Sequence, residues 1–235
     1  MDGDDFLSEG RFGRSAALLG AKNVSQLASA RILIVGVGGV GGWCAEALAR
    51  TGACHFTLID DDKVVQSNLN RQCPATAATI GRAKVAAMKE RILGINPAAE
   101  VVAIARRYLP DAGADELAGF DVIVDAIDSV DCKAALILNA FEVQVPVISS
   151  MGAAFRLDPC RVRISDFGKV AGDGLAKALR NRFRKLARFP GKFDCVWSDE
   201  PKAPSCGEEK GSLMQVTAVF GMCLAAATIK KVTAI

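Results

Sequence analysis

The chain has 235 residues, of which 51% are apolar, and this is enough to bury the core of one large domain. Its net charge of +3 is too small to indicate a polyanionic partner by itself. The eight cysteines have no C-x-x-C spacing, which argues against a structural zinc site and fits reduced thiols in a cytoplasmic protein. The acidic start MDGDDFLSEG lacks an apolar signal core, so no secretion signal is expected.

The first 150 residues alternate apolar, β-branched runs with helical segments. The pattern predicts strands at 31–35, 55–59, 101–105, 121–126 and 145–149, and helices at 40–50, 81–95 and 131–142. Gly52 is expected to cap the first helix, and Asn96-Pro97 to end the second. The alternation predicts an α/β fold with a Rossmann-like, doubly wound, mostly parallel sheet. Right-handed crossovers would bring the loops after Val35, Ile59 and Ala126 to one edge.

After Ser150 the pattern changes. Residues 152–166 are expected to form a β-hairpin with Asp158-Pro159 in its turn. A helical extension follows, with apolar residues recurring at helical spacing: Leu175, Leu179, Phe183, Leu186 and Phe189. Residues 199–212 are predicted to be a polar loop. The apolar stretch 213–229 is at the short limit for a membrane span, and we interpret it as a buried core element.

Positive charge is concentrated in the helical extension. Between Lys177 and Lys192 there are seven Lys or Arg residues and no acid, so the remainder of the chain sums to −4 (3 − 7). This face, with Lys177, Arg180, Arg184 and Arg188, could track nucleic-acid phosphates. The alternative is the solvated face of an ordinary amphipathic helix.

The segment Gly36-Val37-Gly38-Gly39-Val40-Gly41 follows the first strand directly and contains the pattern G-x-G-x-x-G. The first glycine permits a tight turn, the second lets a nucleotide approach the backbone, and the third lets helix and strand pack closely. Asp60 closes the second strand, where an acid accepts a ribose hydroxyl. By itself this fingerprint fits a dehydrogenase as well as it fits any other kind of protein.

Two cations shift the interpretation toward a triphosphate. Arg71 follows in the segment Ser67-Asn68-Leu69-Asn70-Arg71-Gln72, and Lys84 lies 13 residues later in the first turn of a helix. Both could neutralise charge on phosphate oxygens during attack at the α-phosphorus. Taken singly, each is more often an ordinary surface cation.

Two acids bracket the end of the fourth strand. Asp125 is expected within the strand, and Asp128 in the loop above the sheet edge, where it could hold a magnesium ion that bridges phosphates. The alternative is helix capping, to which Asp128, Ser129 or Asp131 could contribute.

The chain resembles the ThiF/MoeB/HesA (ubiquitin-activating-like) superfamily in the order and spacing of five segments: GVGGVG, TLIDDD, SNLNRQ, GRAK and VDAIDS. The resemblance implies a single adenylating domain over residues 1–235, with a nucleotide-binding core at about 11–150 and an acceptor-side extension at about 151–235. It further implies ATP with magnesium as cofactors, an acyl-adenylate product and a homodimer. Arg14, or Arg11, would reach into the partner's site and assist Arg71 and Lys84 in catalysis.

The resemblance also assigns the nucleotide-binding residues. The positions that match family ATP contacts are Gly38, Asp60, Asn68, Arg71, Lys84 and Asp128, with Asp128 as the metal ligand. Their neighbours Gly36, Gly39, Gly41, Asp62, Gln72 and Ser129 are expected to complete the nucleotide site.

Four further segments resemble one branch of this superfamily, whose members dehydrate threonylcarbamoyladenosine in tRNA: RFGRSAALLG, VIVDAIDSVDCKAALI, DCVWS and GSLMQVTAVFG. This implies that ATP activates the carboxylate of that nucleoside and that its own carbamoyl group closes a ring. One alternative is an adenylyltransferase for the C-terminal glycine of a ubiquitin-like sulfur carrier, whose relatives typically carry paired C-x-x-C motifs. Another is a non-catalytic nucleotide-binding module in a sulfur relay. Cys206 is the candidate for persulfide or thioester chemistry, against an incidental thiol, and His55 is expected to be structural.

Overall fold

A computed structural model describes residues 10–204, 206–207 and 210–235 of the chain. Seven strands form one sheet in the order β3-β2-β1-β4-β5-β7-β6, and every neighbouring pair is parallel except β6 with β7. The strands are β1 (Arg31–Val35), β2 (His55–Ile59), β3 (Glu100–Ile104), β4 (Val122–Asp125), β5 (Val147–Ser150), β6 (Val162–Asp166) and β7 (Asp194–Ser198). The predicted doubly wound, mostly parallel α/β fold is confirmed.

Helices cover both faces of this sheet. They are α1 (Gly13–Leu19), α2 (Ala21–Ser29), α3 (Gly41–Thr51), α4 (Lys84–Ile95), α5 (Val130–Glu142), α6 (Gly174–Leu186) and α7 (Met214–Thr233). In β1, Ile32 and Ile34 belong to the core on the side of α3, α4 and α7, whereas Leu33 and Val35 belong to the core on the side of α5 and α6. A strand buried on both faces needs a continuous apolar run, which explains the sequence RILIV.

The predicted hairpin over 152–166 is wrong. The chain makes a short 3₁₀ turn at Pro159–Arg161 and then enters β6, which pairs antiparallel with β7. The partner strand lies beyond α6, so the pairing is long-range and no local turn residue indicates it. The Asp158-Pro159 turn signal instead marks the start of the 3₁₀ turn, where the Asp158 carboxylate accepts the backbone N–H of Cys160 at 2.8 Å.

The predicted amphipathic helix forms, but it is shorter than the spacing indicates. Leu179 and Phe183 are buried in the core, whereas α6 ends at Leu186 and Phe189 beyond it is 69% exposed. Ala187, with φ 50°, takes the left-handed conformation that ends the helix. The apolar spacing therefore continues past the point at which the backbone leaves the helix.

The C-terminal apolar stretch forms α7, a helix of 20 residues that is long and apolar enough to cross a membrane by length and composition. Half of its most apolar window is buried inside the protein, and Val216, Phe220 and Leu224 belong to the core beside α3. We therefore describe α7 as a core helix, in agreement with the interpretation from sequence.

The strand order reverses between β1 and β4, and this switch point creates a crevice at the carboxyl ends of the strands. The turn after β1 is closely packed there. Gly36 has φ 89°, and an added Cβ would lie 2.7 Å from the carbonyl oxygen of Ala126. At Gly41 an added Cβ would lie 1.8 Å from the carbonyl oxygen of Gly36. Both contacts can form only because these residues lack side chains.

We predict that Gly41→Ala lowers the free energy of unfolding by roughly 3 kcal/mol or more, because the backbone of the turn must move. The matched control is Gly94→Ala in α4, where an added Cβ meets no atom within 4 Å. That variant should gain up to about 1 kcal/mol from helix propensity. Urea unfolding of both variants measures the difference, and equal stabilities would contradict the packing argument.

Candidate active site

A cavity of about 610 Å³ opens at the switch point, above the carboxyl ends of β1, β2 and β4. Its volume is within the range typical of small-molecule sites, about 300–1,000 Å³. Eleven of the thirteen predicted site residues line it: Gly36, Gly38, Gly39, Asp60, Asp62, Asn68, Arg71, Gln72, Lys84, Asp128 and Ser129. The structure thus brings together residues that are up to 93 positions apart in the chain (129 − 36).

Two predicted residues do not line the cavity. Gly41 is buried behind the turn at the start of α3, where it acts through packing. Arg14 lies in α1 and is exposed on this chain. Arg11, the alternative candidate for the same role, lies 3.4 Å from the side-chain oxygen of Asn96. Neither arginine therefore reaches the cavity of its own chain.

Asp60 fastens the glycine turn to β2. Its carboxylate accepts the backbone N–H of Val37 at 2.8 Å through one oxygen and that of Asp62 at 2.9 Å through the other. Burial raises the pKa of the Asp60 carboxyl, while the N–H of Asp62 and the charge of Lys84 act in the opposite direction. The carboxylate keeps further lone pairs that could accept ribose hydroxyls.

The two predicted phosphate cations are held in place by the protein. Lys84 is the first residue of α4; its side chain is 7% exposed, and its ammonium lies 2.8 Å from the Asp62 carboxylate. The Arg71 guanidinium donates to the carbonyl of Ser67 at 2.9 Å and to the side-chain oxygen of Asn70 at 2.8 Å through one nitrogen. Both cations are therefore positioned beside the cavity, and each keeps free donors for phosphate oxygens.

Two buried amides complete this wall. The side-chain oxygen of Asn68 accepts the N–H of Val65 at 3.2 Å, which leaves its NH₂ group free to donate. The side-chain oxygen of Gln72 is buried and has no hydrogen-bond partner within the described parts of the chain. A buried acceptor without a donor is costly, and a bound ligand could supply the donor.

Asp128 differs from the other carboxylates on the cavity wall. Within residues 10–204, 206–207 and 210–235 it has no hydrogen-bond or ion-pair partner, whereas Asp60, Asp61, Asp62 and Asp173 each have one. Ser129 occupies the N-cap position of α5, but no side chain caps the helix there, and Asp131 pairs with Arg182 at 2.8 Å. The capping interpretation is therefore not supported for any of the three candidates.

The oxygen ligands that Asp128 offers suit a hard divalent cation. Sequence reasoning did not identify another possible metal site, where carboxylate oxygens of Asp60, Asp61 and Asp62 lie within 4.8 Å of one another. In that cluster Asp61 pairs with Arg107 at 3.1 Å and Asp62 with Lys84. Asp128 is the better candidate, because no cation among the described residues pairs with its carboxylate.

A fully buried ion pair lies beneath the cavity floor. The Lys133 ammonium is 2.7 Å from the Asp125 carboxylate and 3.2 Å from the Ser149 hydroxyl, and that hydroxyl donates to the same carboxylate at 2.7 Å. The other Asp125 oxygen accepts the N–H of Ile127 at 3.1 Å. Asp125 was expected in the strand, but its partner was missed. A lysine within the apolar helix segment 132–137 was the available signal.

Sequence reasoning also missed the part of the cavity wall formed by residues after position 149, which we call the C-terminal wall. It consists of the loop after β5 and part of the polar segment before α7, with Ser150, Met151, Gly152, Ala153, Ala154, Phe155, Lys202, Lys210 and Ser212 on the cavity. The cavity is also lined by three residues that follow β3, namely Arg106, Arg107 and Tyr108. No regular spacing in the sequence marks these residues. They lie in separate loops, and only the order of the strands in the sheet brings those loops together.

The cysteines and the histidine contribute little to the cavity. Cys206 is exposed and does not line it, and burial raises the pKa of the Cys73 thiol to about 12, with the nearby Glu46 carboxylate acting in the same direction. Cys132 lines the cavity but is 5% exposed. His55 lies in β2, 3.3 Å from Glu100, away from the site. The described residues thus place no histidine at the reacting centre.

The basic helix α6 is less uniform than its sequence indicates. Arg180 turns inward, where it donates to the carbonyls of Phe167 and Val170 and lies over the Phe167 ring. Arg188 pairs with Glu142 at 3.1 Å. Arg180 therefore does not belong to the predicted phosphate-tracking face, because its charge serves to hold the preceding loop. Lys177 and Arg184 remain exposed on that face.

Comparison with known proteins places this geometry among relatives. The sequence model of the ThiF family matches residues 12–235. The chain is 38% identical to the tRNA threonylcarbamoyladenosine dehydratase of Escherichia coli (strain K12), over 95% of this chain and 94% of that protein. It is 35% identical to the molybdopterin-synthase adenylyltransferase of Salmonella typhimurium, over 63% and 59% respectively. A crystal structure of the E. coli dehydratase in complex with ATP superposes with a TM-score of 0.90 at 39% identity, covering 96% and 95% of the two chains.

We predict that Lys133→Met destabilises the protein by about 3–5 kcal/mol, because it leaves the Asp125 carboxylate buried without a countercharge. The double variant Lys133→Met/Asp125→Asn should recover part of this loss, since the buried charge is gone. Lys22→Met, at an exposed lysine in α2, should stay within about 0.5 kcal/mol of wild type. Urea unfolding measures all three, and a loss below about 1 kcal/mol for Lys133→Met would contradict the assignment.

Proposed function

This chain belongs to the ThiF family, and on that premise we propose that it is an ATP-dependent tRNA threonylcarbamoyladenosine dehydratase. The observation that carries the proposal is its similarity to a dehydratase over nearly the full length of both proteins. Because that match covers 95% of this chain, it extends over both parts of the cavity wall: the phosphate cations before residue 90 and the C-terminal wall after residue 149. The match to the molybdopterin adenylyltransferase covers only 63% of the chain, so the sulfur-carrier alternative is less well supported.

The reaction that fits the cavity has two steps. A carboxylate oxygen of the acceptor nucleoside bonds to the α-phosphorus of ATP while the bond to the bridging oxygen breaks and pyrophosphate leaves. The carbamoyl group of the same nucleoside then attacks the activated carbonyl carbon, one proton is lost, and AMP leaves. The nucleophile belongs to the substrate, so the protein need only hold the two groups together and stabilise phosphate charge. This accords with a site without histidine among the described residues.

The protein's own groups have separate roles in the first step. Arg71 and Lys84 donate to phosphate oxygens on which negative charge grows as the carboxylate attacks. Asp60 accepts ribose hydroxyls, and the glycine turn presents backbone N–H groups to the nucleotide. The NH₂ group of Asn68 and the unpaired oxygen of Gln72 fix the orientation of the nucleotide. Because these groups are already held by neighbours, little reorganisation accompanies binding.

We assign Asp128 as the protein ligand of a magnesium ion. Its carboxylate has no partner among the described residues and faces the cavity beside the glycine turn. When bound, such an ion neutralises charge on the triphosphate. Ser129, whose hydroxyl does not cap α5, lies next to it and is available to the nucleotide.

For the acceptor, we propose that the exposed face of α6 with Lys177 and Arg184 contacts tRNA phosphates, with Arg188 joining once it leaves Glu142. Such contacts are independent of sequence and weaken with salt. On this view residues up to about 150 handle ATP, and residues from about 151 handle the acceptor, within a single adenylating domain.

We further propose a cytoplasmic homodimer. Leu18 in α1 is 86% exposed and Met222 in α7 is 41% exposed, and a second copy could cover them. Because Arg14 lies in α1 and not on the cavity of its own chain, a dimer would let it reach the partner's cavity. The exposed Cys206 is the thiol that a sulfur-relay partner could meet.

The proposal predicts turnover with a defined substrate. The protein is incubated with ATP, magnesium and tRNA that bears threonylcarbamoyladenosine, and the nucleosides are analysed by mass spectrometry. We expect a product lighter by one water, with AMP and pyrophosphate released. ATP–pyrophosphate exchange that requires a carrier protein ending in Gly-Gly would instead support the sulfur-carrier alternative. Absence of ATP turnover with either acceptor would leave a non-catalytic nucleotide-binding module.

We predict that Arg71→Ala and Lys84→Ala each slow turnover by at least about 100-fold, the usual effect of removing one donor to a developing charge. The fold should survive, because Arg71 is only half-buried and the Asp62 partner of Lys84 is 59% exposed. Lys89→Ala on the same helix, outside the cavity, serves as the matched control. Turnover and thermal unfolding are measured together, and full activity in Arg71→Ala and Lys84→Ala would disprove the phosphate assignment.

A further inference from the structure

The C-terminal wall of the cavity contains an aromatic ring in an unusual backbone position. Phe155 has φ 61°, one of four positive values among described residues other than glycine, and it is the one of these that lies on the cavity. The left-handed region is unfavourable for a bulky side chain, so such a conformation persists only where its surroundings impose it. Its ring is half-buried and accessible from the cavity.

The surroundings of Phe155 impose this conformation from both sides. Its N–H donates to the carbonyl of Gly211 at 2.9 Å, and its own carbonyl accepts the N–H of Ala203 at 2.8 Å. The next side chain, Arg156, is fully buried, with its guanidinium 3.7 Å from the buried Asp173 carboxylate. With its backbone tied to the polar segment and the following side chain buried, Phe155 must keep its ring at the cavity.

Two lysines share this wall with the ring. Lys202 places its ammonium 5.7 Å from the centroid of the Phe155 ring, and Lys210 lines the same wall. Both are exposed, and within the described ranges neither makes an ion pair, unlike Lys84, Arg106 and Arg107, which also line the cavity. An aromatic ring beside free cations is the arrangement by which proteins hold a single unstacked base and its phosphates.

We propose that Phe155 is the stacking platform for the base of the acceptor nucleoside, and that Lys202 and Lys210 contact the phosphates beside it. This inference rests on the proposed function, to which it adds a residue that recognises the substrate. On binding, the flexible Lys202 leaves the ring face to the base and moves to a phosphate. The nucleoside is then held against the ATP site, so that its carboxylate faces the α-phosphate.

The first test separates acceptor binding from ATP binding. With tRNA that bears threonylcarbamoyladenosine, Phe155→Ala and Phe155→Leu should raise KM for tRNA by at least about 10-fold, as expected for loss of one base–aromatic stack. Phe155→Trp should stay within about threefold of wild type, because it keeps a flat ring. The Kd for ATP and the urea midpoint should be unchanged in all three, which shows that the variants are folded.

The control is Leu157→Ala, two residues along the same segment, where the side chain is 59% exposed and lies off the cavity wall. It should leave KM for tRNA unchanged. If Phe155→Leu keeps the wild-type KM, or if Leu157→Ala raises it equally, the stacking role is overturned.

A second measurement does not depend on turnover. An anticodon stem-loop carries 2-aminopurine in place of the acceptor adenosine, and the indole of tryptophan quenches the fluorescence of that base when the two stack. Phe155→Trp should therefore quench the bound probe, whereas Phe155→Leu should bind it without quenching. Equal quenching by Phe155→Leu overturns the inference alone. Failure of wild type to dehydrate the modified tRNA overturns the proposed tRNA function, and the inference with it.

Discussion

The buried ion pair between Lys133 and Asp125 holds together the elements from which the cavity is built. Asp125 ends β4, Lys133 lies one turn inside α5, and Ser149 joins both from β5. Removing two charges from water is costly, and only close geometry with every lone pair occupied offsets that cost. Because the pair requires this geometry, it fixes where the chain turns after β4 and β5. The positions of Asp128 and of the loop that leads to Phe155 both follow from those turns.

The two walls of the cavity use charge in different ways. On the ATP side, Arg71 and Lys84 are held by carbonyl and carboxylate oxygens, so their positions are set before a ligand arrives. On the C-terminal wall, Lys202 and Lys210 are exposed and have no acidic partners among the described residues. A small nucleotide of fixed shape suits the first wall, whereas a large acceptor that must enter and leave suits the second.

Local patterns predicted the parallel half of the fold and most of the ATP wall. RILIV is apolar on both faces because β1 is buried on both, and Gly36 follows because the turn leaves no room for a Cβ. These are constraints that a few adjacent residues express. Two predictions were wrong for a common reason: the local hairpin at 152–166, and the assignment of Arg180 to the solvent-exposed face of its helix. The partner of β6 lies beyond α6, and Arg180 meets carbonyls ten or more residues away.

The sequence by itself thus determined the strand and helix order, the glycine turn, and the cations and acids whose spacing indicates a triphosphate. Each of these depends on contacts within one strand–turn–helix unit, where period and spacing carry the information. Only the tertiary structure decided that Lys133 neutralises Asp125, that Asp128 has no partner among the described residues, and that Phe155 lines the same cavity as the ATP wall. Those facts depend on which loops the sheet order brings to one edge, and such neighbours are separated in the chain by whole strands and helices.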